Sequence, residues 1–411
     1  MPRDNESPLG TLIAGLDIGT AKIVAVIAEI NDEGRYELLG IGTQESQGIK
    51  HGVVVDIEAT VVGIAKAVGE AEQMAGVRIK NVFVSITGNH IRSLDSNGIA
   101  AIRGKEVQPK DVALAIETAT ATPVSADDQI IHTLVQQFIV DGQDGIRDPV
   151  GMDGHRLEVK VHVVLGRLSV VQNLIKCVRR CGLDVVDVVL QPIASAHAVL
   201  TEDEMDAGVC LIDIGGGTAN MAVYREGAVR HTSIIAIAGE QITSDIALAL
   251  RTSRQEAEHI KLTKGLAIQK LAEPTDVFEV AGIGDHPPDR VSRTTLGAVI
   301  RRRLEEIYKH FHKELEQTGL DKMLIAGVVV TGGSARIPGM CAMGEGILHN
   351  RVRLGMPRYS GENSPAVCDP RYSAAIGLLE YGLRRRDRPE AHRKTFQTIL
   401  ADIRRWLSKN L

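Results

Sequence analysis

A chain of 411 residues is long enough for two or more hydrophobic cores, and 44% hydrophobic with 24% charged residues is an ordinary globular composition. The net charge of −5 gives no footprint for nucleic-acid binding. Five cysteines without a C-x-x-C pair, and thirteen histidines without ligand spacing, point to reduced core thiols and no structural metal. The polar first residues lack a signal-peptide pattern, and no apolar run reaches the roughly 18 residues that cross a bilayer, so a cytoplasmic chain is expected.

Leu12–Leu16, Lys22–Ile30 and Tyr36–Thr43 read as strands, joined by a turn at Asp17 and by Asn31-Asp32-Glu33-Gly34. Asp56 caps a helix with apolar positions at Ile57, Val61, Ile64, Val68, Ala71 and Met74, ending at Gly76. Asn81–Thr87 alternates as a strand. Residues 88–164 then change character: Gly, Asn and Ser punctuate Gly88–Gly104, Pro109 opens a helix to Thr120, and Gln129–Val140 and Leu157–Leu165 are β-rich. This stretch reads as a small α+β insert.

The main chain resumes with helix Ser169–Cys181, strand Asp184–Leu190, helix Pro192–Leu200 and an acidic loop, Thr201–Asp206. Strands at 209–212, 218–224 and 229–237 follow, then helices Gln241–Leu250 and Arg254–Lys264. A long helix near Ser292–Glu316 carries Leu296, Ile300, Leu304, Ile307, Phe311 and Leu315 on one face. Gly327–Val330 is a β-branched strand entering Thr331-Gly332-Gly333-Ser334, and Pro370–Tyr381 is a helix with small residues for close packing. Strands alternating with amphipathic helices place the chain in the α/β class.

Two turns carry chemistry. Asp213-Ile214-Gly215-Gly216-Gly217-Thr218 sets an aspartate before three glycines whose bare backbone N–H groups can close around an anion. A weaker copy stands at Asp17-Ile18-Gly19-Thr20-Ala21-Lys22. Two such turns suggest two similar halves facing one ligand. An ATP phosphate chain needs this kind of cradle from Gly19, Thr20, Gly215, Gly216, Gly217 and Thr218, and Mg²⁺ needs only one or two carboxylates, Asp17 and Asp213, sometimes through water. Two hairpin turns with capping aspartates are the bland alternative. Lys22 could reach a phosphate or equally start the next strand facing solvent.

The turns, their order and their separation resemble the actin, Hsp70 and sugar-kinase ATPase superfamily. Asp17–Lys22 resembles its first phosphate loop and Asp213–Thr218 its second. Asp187–Leu200 and Ser373–Leu379 resemble its connecting segments, and Val328–Pro338 its adenosine motif. Within it, Gly15–Lys22, Gly239–Ala247 and Ala257–Lys261, with the 88–164 insert and an amphipathic C-terminus, resemble most closely the FtsA family of bacterial cell-division proteins. The resemblance implies an actin-like two-lobed ATPase fold with an α+β insert subdomain and a C-terminal amphipathic helix. It divides the chain into 10–87 with 165–195 and 365–383, the insert 88–164, 196–243 with 315–364, a helical 244–314, a basic linker 384–394 and the tail 395–411.

It also implies roles. Gln191 stands where a residue orienting water is expected, and a glutamine is a poor base, so any hydrolysis would be slow. Glu258 and Lys261, three apart on a helix, would lie near adenosine, or be only a surface ion pair. Gly332 and Gly333 would let the base approach backbone. Implied partners are the C-terminal peptide of FtsZ on 244–314, further copies in head-to-tail filaments, and later division proteins such as FtsN on the insert.

The tail is a separate device. Phe396, Ile399, Leu400, Ile403 and Leu407 share a helical stripe with Trp406 at its edge, opposite Arg404, Arg405 and Lys409. Residues 384–411 hold nine Lys/Arg and three Asp/Glu, a local +6 that leaves −11 for the rest of the −5 chain. Such a helix lies in the headgroup plane of anionic lipid, or docks on its own protein. The whole suggests an ATP-binding, filament-forming adaptor at the cytoplasmic face of the inner membrane, at the division septum. A small-molecule kinase or a pilus-assembly adaptor of the same superfamily is the alternative.

Overall fold

The structure is a computed structural model that describes residues 12–121, 124–273, 275–284, 286–361 and 364–386. The expected amphipathic tail 395–411 with Trp406, most of the expected basic linker, and the start of the chain lie outside the described residues.

Two five-stranded sheets of the same design form its centre. In the first, β1 (Leu12–Ile18), β2 (Lys22–Ile30) and β3 (Tyr36–Glu45) make an antiparallel meander. The short hairpin β4 (Ile49–Lys50) and β5 (Val53–Val54) leads into α1 (Ile57–Ala75) and then β6 (Asn81–Ile86), which runs parallel to β1. The second meander is β12 (Val209–Ile214), β13 (Ala219–Arg225) and β14 (Ala228–Ile235), with β17 (Val328–Thr331) parallel to β12. The orders β11-β6-β1-β2-β3 and β14-β13-β12-β17-β18 mirror each other, β11 being Asp184–Leu190 and β18 Val352–Leu354. The two Asp-Ile-Gly turns therefore occupy equivalent corners, between the first two strands of each meander.

The insert has its own sheet, β7-β10-β8-β9, from β7 (Ile91–Ala101), β8 (Asp128–Val140), β9 (Gln143–Ile146) and β10 (Arg156–Arg167), covered by α2 (Pro109–Thr120). Its core, which includes Val112, Ala115, Phe138, Leu157 and Val161, is separate from the other two clusters. The glycine-punctuated stretch that looked irregular in sequence is thus mostly the eleven-residue strand β7. Its register against β10 is long-range information, and Gly98 serves packing, because a Cβ there would collide with the Ala115 carbonyl of α2.

Helices join the units. α3 (Leu168–Arg180) leads to β11, and α4 (Gln191–Val199) leads across to the second lobe. The acidic stretch expected as a loop is instead a helix, α5 (Glu202–Ala207), because Thr201 and Glu204 form a reciprocal capping box. α6 (Gly239–Leu250), α7 (Arg254–Lys264), the hairpin β15 (Val277–Val280) and β16 (Asp289–Ser292), and α8 (Arg293–Thr318) follow. α9 (Met340–Leu348), α10 (Ser364–Val367) and α11 (Ser373–Arg386) complete the described residues. All six apolar positions expected on the long helix are buried in α8. On α1 the periodicity held except at Met74, which is exposed; Gly63, Ala67 and Ala71 are buried, and Gly40 and Gly42 of β3 leave room for the α1 backbone.

α11 runs to Arg386, into the stretch whose composition suggested a linker. Buried Asp187 holds it there, accepting from Tyr381 Oη at 3.0 Å and pairing with Arg385. Phe311 is fully buried in the core of the second lobe. Phe311→Ala should therefore destabilise that lobe by about 3–5 kcal/mol, read as a lower denaturant midpoint by circular dichroism.

Candidate functional site

The two turns meet. Gly216 lies so close to the first turn that a Cβ on it would sit 2.8 Å from Ala21 Cβ, and a Cβ on Gly217 would collide with Thr20 Oγ1. Each turn is closed by its own backbone: Gly19 N donates to Lys22 O at 3.0 Å, and Gly215 N to Thr218 O at 2.9 Å. A segment of the first lobe fixes both, as Gly52 N donates to Thr20 Oγ1 at 3.1 Å and His51 Nδ1 lies 3.2 Å from Gly217 O.

Both aspartates are buried at this seam, Asp17 at 5% and Asp213 at 2% exposure. Asp17 accepts from Ser85 Oγ at 2.6 Å. Asp213 accepts from Ser195 Oγ at 2.5 Å and Gln191 Nε2 at 3.4 Å. Gln191 and Ser195 stand four apart on α4, so one face of that helix presents both. Burial pushes the Asp213 carboxyl up to about 6, with Asp17 adding to the rise against the Ser195 hydrogen bond. Burial likewise raises Asp17, against its bond from Ser85. Two close, desolvated carboxylates that repel one another are suited to a cation between them.

Lys22 does not simply face solvent. Its Nζ donates to Arg371 O and lies 4.2 Å from the centre of the Tyr372 ring. Burial lowers it to about 8, while Asp17 and Asp213 pull it back up. The first turn is thereby tied to the segment that starts α11.

The remaining predicted residues converge on the second turn. The first amides of α6 cap it, Gly239 N donating to Gly215 O at 3.1 Å and Glu240 N to Gly216 O at 2.8 Å. Lys261 Nζ donates to Gly239 O at 3.1 Å, to Thr243 Oγ1 at 2.9 Å and to Glu258 Oε2 at 2.6 Å. This is more than a surface pair, since Lys261 is buried; desolvation lowers its pKa against the attraction of Glu258. Gly332 has φ +88°, and a Cβ there would collide with Asp213 Oδ1, so only glycine suits it. Gly333 stands beside Arg371, with 3.7 Å between a built Cβ and Arg371 Cγ.

Ser85, Thr87, Ser195, Asn220 and Ser334 belong to the same network and were missed in the sequence. Ser334 Oγ donates to Gly215 O at 3.0 Å. The i+4 spacing of Ser195 from Gln191 was a usable signal; the others come from strands or turns whose meeting is purely tertiary.

Known proteins resemble the chain in sequence and in fold. Two family models match, one described as "Cell division protein FtsA" over residues 210–377 and one as "SHS2 domain inserted in FTSA" over residues 88–165. The FtsA cell-division protein of Pseudomonas aeruginosa is 46% identical, over 98% of each chain. That of Escherichia coli K12 is 36% identical, over 97% of this chain and 96% of the relative, and that of Bacillus subtilis 38%, over 91% and 84%. Among solved structures, a PilM–PilN type IV pilus biogenesis complex aligns with a TM-score of 0.64 at 16% identity, over 90% of this chain and 98% of that one. MreB5 of Spiroplasma citri bound to ADP aligns at 0.56 and 15% identity, over 93% and 100%. These low identities show the fold alone, an actin-like one.

The raised Asp213 gives a pH signature. Its folded pKa, about 6, lies above the unfolded value near 3.9, so the stability tied to its proton is full below about pH 4 and lost as pH rises to about 6. The urea midpoint of nucleotide-free wild type, taken relative to that of Asp213→Asn, which cannot titrate, should fall over that window.

Proposed function

The chain belongs to the FtsA family of cell-division proteins, and from that premise we propose that it binds ATP with Mg²⁺ between its two lobes. Nucleotide binding in turn biases head-to-tail assembly on the membrane. The observation that carries this reading is the contact of the two Asp-Ile-Gly turns, one from each of two equivalent sheets, with both aspartates buried at the seam.

The residues fit a nucleotide. Gly216 and Gly217 let the second turn approach the first without side chains between them, and the first turn of α6 packs its amides on the second turn's carbonyls. Mg²⁺ keeps several waters and needs only one or two carboxylates, so it would rest on the buried pair Asp17 and Asp213, directly or through water. Mg²⁺ would offset phosphate charge there. Lys22 and Lys261 add positive charge on the two sides, and Glu258 orients Lys261. Gln191 can orient a water but its carboxamide cannot take a proton, so the chain is at most a slow ATPase. The fold neighbour MreB5 was solved with ADP and with AMPPNP, which supports a nucleotide in this fold.

We further infer the subdomain division set out from the sequence: 10–87 with 165–195 and 365–383, the insert 88–164, 196–243 with 315–364, and 244–314. On this reading 244–314 takes the C-terminal peptide of FtsZ, the insert meets later divisome proteins such as FtsN, and 395–411 lies in anionic lipid at the cytoplasmic face of the inner membrane, at the septum. No helix of the described residues is long and apolar enough to cross a membrane.

Gly216→Val and Asp213→Ala should each abolish binding of fluorescent ATP, measured by titration against wild type; retained affinity overturns the cleft assignment. Deleting 395–411 should abolish co-sedimentation with vesicles of phosphatidylglycerol and phosphatidylethanolamine while ATP binding survives. Unchanged sedimentation would sink the anchor.

A further inference from the structure

Thr87 ends the segment that leads from β6 into the insert, and it is 5% exposed. Its Oγ1 donates to Asn220 Oδ1 at 2.5 Å and lies 3.2 Å from Thr218 Oγ1. Asn220 is fully buried, and its Nδ2 lies 3.4 Å from the backbone oxygen of Asp213. A residue of the first lobe thus supplies a donor to the base of the second turn. Thr87 also supports the first turn: its carbonyl packs on Gly52, where a Cβ would come within 2.6 Å, and Gly52 N holds Thr20 Oγ1.

The insert strand that follows is tied to the second lobe again. Ser93 Oγ, on β7, donates to Thr232 O at 3.1 Å. His162 of β10 is 2% exposed; its Nδ1 lies 2.7 Å from Asp95 Oδ1 and its Nε2 2.9 Å from Thr232 Oγ1. Gln136 of β8 reaches Val229 O and Arg230 O at 3.3 and 3.4 Å. Thr232 lies on β14, the edge strand of the second sheet, and its neighbour across the ladder is Ala222, two residues beyond Asn220. The stretch from Thr87 to β7 is therefore bonded to the second sheet at two points, Thr87 to Asn220 of β13 and Ser93 of β7 to Thr232 of β14. Only the turn at 88–90 separates Thr87 from the start of β7.

We propose that Thr87 is a positioning residue for the second phosphate loop, and that with Ser93 it couples the state of that loop to the first strand of the insert. The inference rests on the nucleotide reading for its ligand, but not for its geometry. A hydroxyl is required because a buried Asn220 oxygen would lose its donor, whereas the shape of the side chain is matched by valine. The insert is thereby a lever on the cleft, and what moves the insert alters the grip on phosphate.

Full-length protein with Thr87→Val, Thr87→Ser and Ser93→Ala tests this by hydrogen exchange and by titration with AMPPNP. Without nucleotide, amides 215–220 should exchange faster in Thr87→Val and be restored in Thr87→Ser; equal exchange in all three overturns the positioning role, whether or not the wild type binds nucleotide. AMPPNP affinity should fall about three- to ten-fold in Thr87→Val and stay near wild type in Thr87→Ser. Ser93→Ala should keep its AMPPNP affinity yet lose the nucleotide-dependent change in exchange across 91–101 seen in wild type. Should Thr87→Val not fold, Ser93→Ala decides the coupling and Thr87→Ser against Asn220→Ala the positioning. A wild type that binds AMPPNP with no change across 91–101 overturns the coupling, and one that does not bind refutes the nucleotide reading instead.

Discussion

The meeting of the two lobes depends on two turns being able to touch. Gly216 against Ala21 and Gly217 against Thr20 leave no room for a Cβ, so the lobes approach there by backbone and not by side chain. The same approach buries Asp17 and Asp213 together, which costs free energy in the empty cleft because desolvation and mutual repulsion both disfavour two charges. A cation between the two carboxylates would offset both effects.

The two lobes are joined by helices with small residues where they cross. Gly377 of α11 packs on the Ala194 carbonyl of α4, so closely that a Cβ would collide with it. α4 also carries Gln191 and Ser195 to Asp213, and the segment before α11 supplies the Arg371 carbonyl and Tyr372 ring to Lys22. The connecting helices and the groups around the two turns are therefore parts of the same elements.

Much of the fold was legible because its signals are local. The α8 stripe, the capped α1 and the alternation of strands follow from period and caps alone. The second turn stood out by its three consecutive glycines, and the first by repeating Asp-Ile-Gly. Where reading failed, the deciding contact was distant. β7 looked like punctuation until its pairing with β10, more than fifty residues on, gave its polar residues partners. α5 looked like an acidic loop because a capping box is a two-residue signal easily lost among carboxylates.

The amino-acid sequence by itself determined the repeated Asp-Ile-Gly turns, the helical stripes and, through its resemblance, the family. These are properties of neighbours three, four or two residues apart, which backbone geometry turns directly into structure. Only the tertiary structure decided that both turns share one seam, that Lys22 is held by Arg371 and Tyr372, and that Lys261 is buried instead of paired at the surface. It alone decided that Thr87 and Asn220 join the lobes across 133 positions of chain. No local pattern encodes such contacts, because they form only when two sheets have already settled face to face.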